Sequence, residues 1–234
     1  PPNHVLNKRG PLLPPNELGL ALPSGVKARI IARTGEAVSN SSYIWHPAPD
    51  GGATFKLSDG GWIYVSNSEV HSGTGGAGAI EFDHSGKIRT ANRILAGTSG
   101  NCAGGPTPWG TWLSCEEIER GLVYECDPQG RLSAIPRPAL GRFMHEAAAV
   151  HYHQGKYTIY LTEDDPEGGL YRFVPEYKTG SQQAIQHAHC RRLPRICSRW
   201  ACESLLYRAC PCRRIRPMKT IPTHLSISRT SRRC

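Results

Sequence analysis

A chain of 234 residues with 38% hydrophobic content is long enough to bury a sizeable core. Its formal charge of +9 is uneven, since residues 179–234 carry +11 and residues 1–178 carry −2. A basic average produced by one end argues against a nucleic-acid binder, and no run of about 18 apolar residues offers a membrane-spanning helix.

Residues 1–20 are rich in proline and polar side chains and are expected to form an extended N-terminal arm. Alternation over residues 26–32 (V-K-A-R-I-I-A) predicts a strand. Residues 42–57 then place Trp45 and Phe55 around a predicted turn at Pro49-Asp50-Gly51-Gly52.

Beyond this point the chain repeats itself. Residues 62–69 (W-I-Y-V-S-N-S-E), 110–117 (G-T-W-L-S-C-E-E) and 158–165 (T-I-Y-L-T-E-D-D) align at a fixed step of 48. The alignment equates Val65, Leu113 and Leu161, and at the far end Glu69, Glu117 and Asp165. Each segment is followed by a second apolar run, at 79–83, 122–127 and 169–175. The first two of these runs close with D-x-x-G turns, which predict antiparallel hairpins.

A period in the forties fits a four-stranded propeller blade. A sandwich of short strands has similar turn spacing, but it has no reason to repeat an acid-ended strand at a constant step. The predicted fold is therefore all-β, a β-propeller with about three blades, over residues 21–178. Equivalent strands ending in acids would gather those acids at one mouth, where a hard cation can sit.

Three segments concentrate chemistry. In residues 101–117 (N-C-A-G-G-P-T-P-W-G-T-W-L-S-C-E-E), the glycines and prolines place Cys102 in a shaped loop. Such a cysteine is a nucleophile, a soft metal ligand or a small buried residue, and the pattern leaves all three open. In residues 141–150, His145 and Glu146 are adjacent, so on a strand they point to opposite faces. In residues 163–169, four acids occur within five residues. If they converge with Glu69, Glu116 and Glu117, their mutual repulsion calls for protons or cations, which suggests calcium or a mixed metal cluster. There is no G-x-S-x-G elbow, P-loop or H-E-x-x-H.

Composition changes over residues 179–234. Six of the nine cysteines (190, 197, 202, 210, 212, 234) fall there, and 24 of the 25 glycines precede it. The cysteine spacing contains no C-x-x-C pair for a zinc module. This Arg- and Cys-rich tail is expected to be disordered or read out of frame, and to carry no function.

The run N-C-A-G-G-x-T-P-W-G-T-W-L-S-C-E-E, followed by A-L-G-R-F-M-H-E-A-A-A-V and L-T-E-D-D, resembles the PhoX-type alkaline phosphatases. The likeness runs from about residue 20 to 174, and W-H-P-A-P-D-G-G with G-G-W-I-Y-V-S-N-S-E resembles a compact branch of that family. The resemblance implies a six-bladed propeller that cleaves phosphate monoesters with Fe3+ and Ca2+, working as a monomer in a periplasmic or secreted setting. It further implies that Cys102 is a thiolate ligand to iron and Glu146 a metal bridge. Glu117 and Asp165 are implied as calcium ligands, with Glu69, Glu116 and Asp164 as weaker candidates. The pattern fades near Tyr177, so the chain is expected to be a truncated or frame-shifted version, incomplete and inactive. The alternatives are a non-catalytic calcium-binding propeller and a lactonase-type propeller.

Overall fold

Twelve strands among the described residues pair in chain order into three antiparallel sheets of four. The structure, a computed structural model, describes residues 10–175 and the backbone of residues 190–192. The other expectations for the tail, and those for residues 1–9, lie outside the described residues. The first sheet holds β1 (Pro49–Lys56), β2 (Trp62–Ser68), β3 (Gly75–Phe82) and β4 (Ile88–Thr98). The second holds β5 (Asn101–Pro106), β6 (Trp112–Glu116), β7 (Val123–Cys126) and β8 (Ile135–Pro136). The third holds β9 (His145–His153), β10 (Lys156–Glu163), β11 (Leu170–Phe173) and β12 (Cys190–Arg192). The only helical element among the described residues is a 3-10 turn at Pro138–Leu140.

Each sheet is a propeller blade. The first strands lie side by side, β1 against β5 and β5 against β9, as the inner strands of successive blades do. Glycine makes this approach possible. A Cβ on Gly51 would lie 2.6 Å from the Ala103 Cα, and one on Gly105 would run into the Ala148 carbonyl.

The core lies between blades. Ile63, Val65, Ala77 and Ala79 of the first blade pack against Trp112 and Cys126 of the second. Leu113, Cys115 and Val123 of the second pack against Ala148, Ile159, Leu161 and Phe173 of the third. Each such aliphatic side chain stabilises the fold by about 1.5–3 kcal/mol relative to exposure. The remaining face of the first blade is covered by the preceding segment, where Val38 and Trp45 bury Ile80, Phe82 and Ala91.

The two D-x-x-G turns form as expected. Asp83 Oδ1 accepts from Ser85 N and Lys87 N, and the Asp127 carboxylate accepts from Gln129 N and Arg131 N. Other local expectations change. Residues 26–32 form no strand; Ile31 and Ala32 pack on the Trp45–Phe82 cluster and Arg29 bonds the Gly86 carbonyl, so their alternation serves a strap across the blade and not a ladder. The described part of the arm doubles back, with Leu13 N donating to Leu22 O at 2.9 Å and a bridge between Leu12 and Pro23. Pro49 to Gly52 is the start of β1 and not a turn, and Cys102 belongs to β5 and not to a loop.

Candidate metal centre

The three inner strands share one irregularity near their start. In β1 the ladder passes from Pro49↔Ser68 to Gly52↔Ser66, leaving Asp50 and Gly51 opposite Asn67 alone. In β5 it passes from Asn101↔Glu116 to Gly104↔Ser114, leaving Cys102 and Ala103 opposite Cys115. In β9 it passes from His145↔Glu163 to Ala148↔Leu161, leaving Glu146 and Ala147 opposite Thr162. Two residues against one is a β-bulge, which frees the strand to re-aim a side chain. At the same position in each blade it presents Asp50, Cys102 and Glu146.

The second strand of each blade ends beside its bulge. Glu69 N donates to Ala48 O, Glu117 N to Gly100 O and Asp164 N to Met144 O, at 2.9, 2.7 and 3.1 Å. This shared bond makes Glu69, Glu117 and Asp164 the true counterparts. The repeat step is thus 48 between the first two blades but 47 between the second and third. Because strand side chains alternate with period two, that one residue turns Leu161 to the opposite face from Leu113. It also moves the third acid from Asp165 to Asp164. Asp165 is exposed and its Oδ1 accepts from Glu167 N at 2.8 Å, an internal turn bond.

Two donor groups result. Glu69, Cys102 and Glu117 each offer an atom within 4.8 Å of the others, as do Glu117, Glu146 and Asp164. Glu117 belongs to both. Five of the seven residues singled out in the sequence therefore converge. Glu116 does not: it is buried, and its carboxylate is spent on Ser99 N and Leu122 N, at 2.9 and 3.0 Å, which pins the β6 end. Asp50 carries no signal in the sequence beyond turn chemistry, standing beside a Pro and two Gly, and only the bulge equivalence reveals it. It lies outside both donor groups, but its charge acts on Cys102.

The electrostatics show what is unbalanced. Burial, followed by hydrogen bonds to Glu117 and Glu146 and the charges of Glu146 and Asp50, pushes the Cys102 thiol far above its ordinary value, and its Sγ donates to Glu146 Oε2 at 3.4 Å. Glu117 is also raised, first by burial and then by Asp164 and Glu146. The upward shifts of Cys102 and Glu117 mark the cost of placing anionic ligands this close together, which a bound cation would offset. One thiol with carboxylates from three blades suits a thiophilic transition metal beside a hard, oxygen-loving ion, so the residues present fit such a centre. His145, next to Glu146, faces the other way as adjacency on a strand requires. It is fully buried, its Nε2 lies 3.3 Å from Gly141 O, and burial holds its pKa down at about 4.

A cavity of about 680 Å³ lies elsewhere, between the strap and the outer face of the first blade, lined by Ile31, Trp45, Trp62 and Phe82 among others. It holds none of these acids.

Comparison with solved structures places this architecture beside Pseudomonas fluorescens PhoX in complex with vanadate, described as a transition state analogue. The TM-score is 0.53 at 19% identity, over 68% of this chain and 48% of that one. The chain thus spans about half the length of that structure, and the likeness establishes the propeller fold. A Synechocystis apocarotenoid oxygenase mutant matches at a TM-score of 0.38 and 15% identity, over 63% of this chain and 38% of that one. No curated protein matches. The family model described as alkaline phosphatase PhoX matches residues 51–193, which is most of the chain and contains both bulged strands of the second and third blades, and on that match the chain belongs to the PhoX family.

Proposed function

We propose that the acids and thiol at this mouth hold metal ions, with Fe3+ at the Cys102 side and Ca2+ at the carboxylate side, in a phosphate monoester hydrolase lineage. The observation that carries this reading is the pair of donor groups sharing Glu117, one containing a thiol and the other only carboxylates. Thiolate and carboxylate together suit ferric iron, and carboxylates alone suit calcium. When bound, such ions supply Lewis-acid charge that binds phosphoryl oxygens and stabilises their charge in the transition state. The chain's own part is to arrange the ligands. The bulges direct Cys102 and Glu146 toward one point, Glu117 closes the gap between them, and Glu69 and Asp164 flank it. The vanadate in the Pseudomonas fluorescens relative supports a mouth that accepts a phosphate-like oxyanion.

The further readings are a monomer, placed in the periplasm or outside the cell, where PhoX relatives are expected to work. For the 234-residue chain alone the proposed turnover is near background.

Metal analysis of the purified chain tests the proposal. Iron together with calcium, with iron lost in Cys102→Ala, supports it. Calcium alone favours a non-catalytic calcium-binding propeller, and hydrolysis of lactones but not of p-nitrophenyl phosphate favours a lactonase-type propeller.

A further inference from the structure

We propose that Asn67 is a positioning residue for Cys102, acting across the boundary between two blades. The proposal deepens the metal reading above and rests on it for its functional meaning.

The bulge in β5 leaves Cys102 and Ala103 without ladder partners. Asn67, fully buried at the corresponding place in β2, supplies the missing bonds from the neighbouring blade. Its Nδ2 donates to Cys102 O at 3.0 Å and to Ala103 O at 2.8 Å. Its Oδ1 accepts from Trp112 Nε1 and from Ser114 Oγ, both at 2.9 Å. A carbonyl only accepts and an indole N–H only donates, so chemistry fixes the orientation of the amide, and all four of its bonds are used. A second amide extends the clamp. Asn101 Nδ2 donates to Ser114 Oγ at 3.0 Å, and Asn101 Oδ1 accepts from Thr98 Oγ1 at 2.6 Å. The backbone on which Cys102 stands is thereby gripped from both sides.

This device is particular to one bulge among the described blades. Thr162, which occupies the place of Asn67 in the third blade, accepts from Ala147 N of its own bulge at 3.1 Å. Cys115, which occupies it in the second, is buried among apolar neighbours. Among the described blades only Asn67 hydrogen-bonds the bulge of the next blade, and that bulge carries the thiol; Cys115 meets Glu146 of its next blade through charge alone. A buried carbonyl pair could be satisfied by many groups; an amide whose other face is also locked restricts where Cys102 Cα, and hence Sγ, can lie. Groups that orient a metal ligand in this way typically change metal affinity by about 10–100-fold when removed.

Two variants separate positioning from bulk stability. Asn67→Asp keeps the shape and the acceptor half facing Trp112 and Ser114 but places an oxygen against the Cys102 and Ala103 carbonyls. Trp112→Phe removes a bond from the other half and leaves the grip on Cys102 intact. In the metal-free 234-residue chain, the rate at which iodoacetamide modifies Cys102 is followed by mass spectrometry, with all variants held at the same fraction folded. Several-fold faster modification in Asn67→Asp, with Trp112→Phe at the parent rate, is expected. Equal rates in Asn67→Asp and the parent, or equal acceleration in both variants, would overturn the proposal. If Asn67→Asp does not fold, Asn67→Ser takes its place under the same criteria. The metal readout is the thiolate-to-iron absorption band on titration with ferric citrate, expected to need about tenfold more iron in Asn67→Asp. A parent chain whose titration is unchanged by Cys102→Ser would sink the metal reading, while the modification rates still judge Asn67.

Discussion

The Cys102 thiol and the Glu146 carboxylate, 44 residues apart, meet across 3.4 Å because each sits in the bulge of an adjacent inner strand. That meeting places a thiol among carboxylates, the arrangement on which the proposed metal centre rests.

The reassignment of the third acid is directly testable. Asp164→Asn is expected to weaken calcium binding by at least about tenfold in calorimetric titration, and Asp165→Asn to leave it within error. Glu146→Gln should behave like Asp164→Asn and also lose iron, since an amide is a poor metal bridge. Equal effects at 164 and 165 would show that the pairing register does not decide which acid of the third blade binds the ion.

High pH should destabilise the metal-free chain. Cys102, Cys115 and Cys126 are all raised above the ordinary value of 9.0, chiefly by burial. Below that value folded and unfolded chains are both protonated and the contribution is intact. Above it only the unfolded chain ionises, so each of the two fully enclosed thiols, Cys115 and Cys126, removes about 1.4 kcal/mol per pH unit, and the more open Cys102 less. Urea midpoints between pH 8 and 10.5 should therefore fall, and Cys115→Ala should flatten the slope.

Acid acts through two buried histidines, His46 and His145, whose pKa values burial holds down at about 4. His46 is buried, its Nδ1 lies 2.9 Å from the Tyr43 hydroxyl, and burial holds its pKa down at about 4 from 6.5. A depressed histidine stabilises the fold above its unfolded pKa and loses that contribution as pH falls from 6.5 toward 4. Thermal melts of the metal-free chain should drop across this window by the equivalent of a few kcal/mol. His46→Gln should lower the melting point at pH 7 but show a smaller drop.

Between the second blade's outer strands, Arg137 and Glu125 form a buried pair at 2.7 Å, with Trp109 Nε1 and Thr111 Oγ1 also donating to the same carboxylate. Arg137→Met leaves Glu125 charged and enclosed, so a loss of about 3–5 kcal/mol in urea unfolding is expected. Metal binding per folded molecule should be unchanged, because the pair lies outside both donor groups.

Gly51→Ala should couple stability to the site. Its Cβ would lie 2.6 Å from Ala103 Cα, so either β1 or the β5 bulge must move. The expected cost is about 1–3 kcal/mol, together with weaker iron binding. An equal loss of stability with unchanged iron affinity would show that the bulge does not respond to its neighbour.

The sequence alone determined the blade grammar. Alternation, D-x-x-G turns and a step in the forties are local properties, and they mark β2, β6 and β10 as equivalent strands without any knowledge of contacts. It also marked Cys102, Glu117 and Glu146 through their family motif. What it could not carry was register. A fixed step of 48 put Asp165 in the third blade's acid position, and only the inter-strand pairing shows that one residue fewer separates the last two blades. A single residue is invisible to a composition pattern, yet in a strand it exchanges the two faces. The bulges were hidden for the same reason: Pro49 to Gly52 reads as a turn and residues 101–106 as a loop until a partner strand lies beside them. Asn67 belongs wholly to tertiary structure, since its partners Cys102 and Ala103 lie 35 and 36 residues away and no local signal distinguishes its amide from any other polar strand residue.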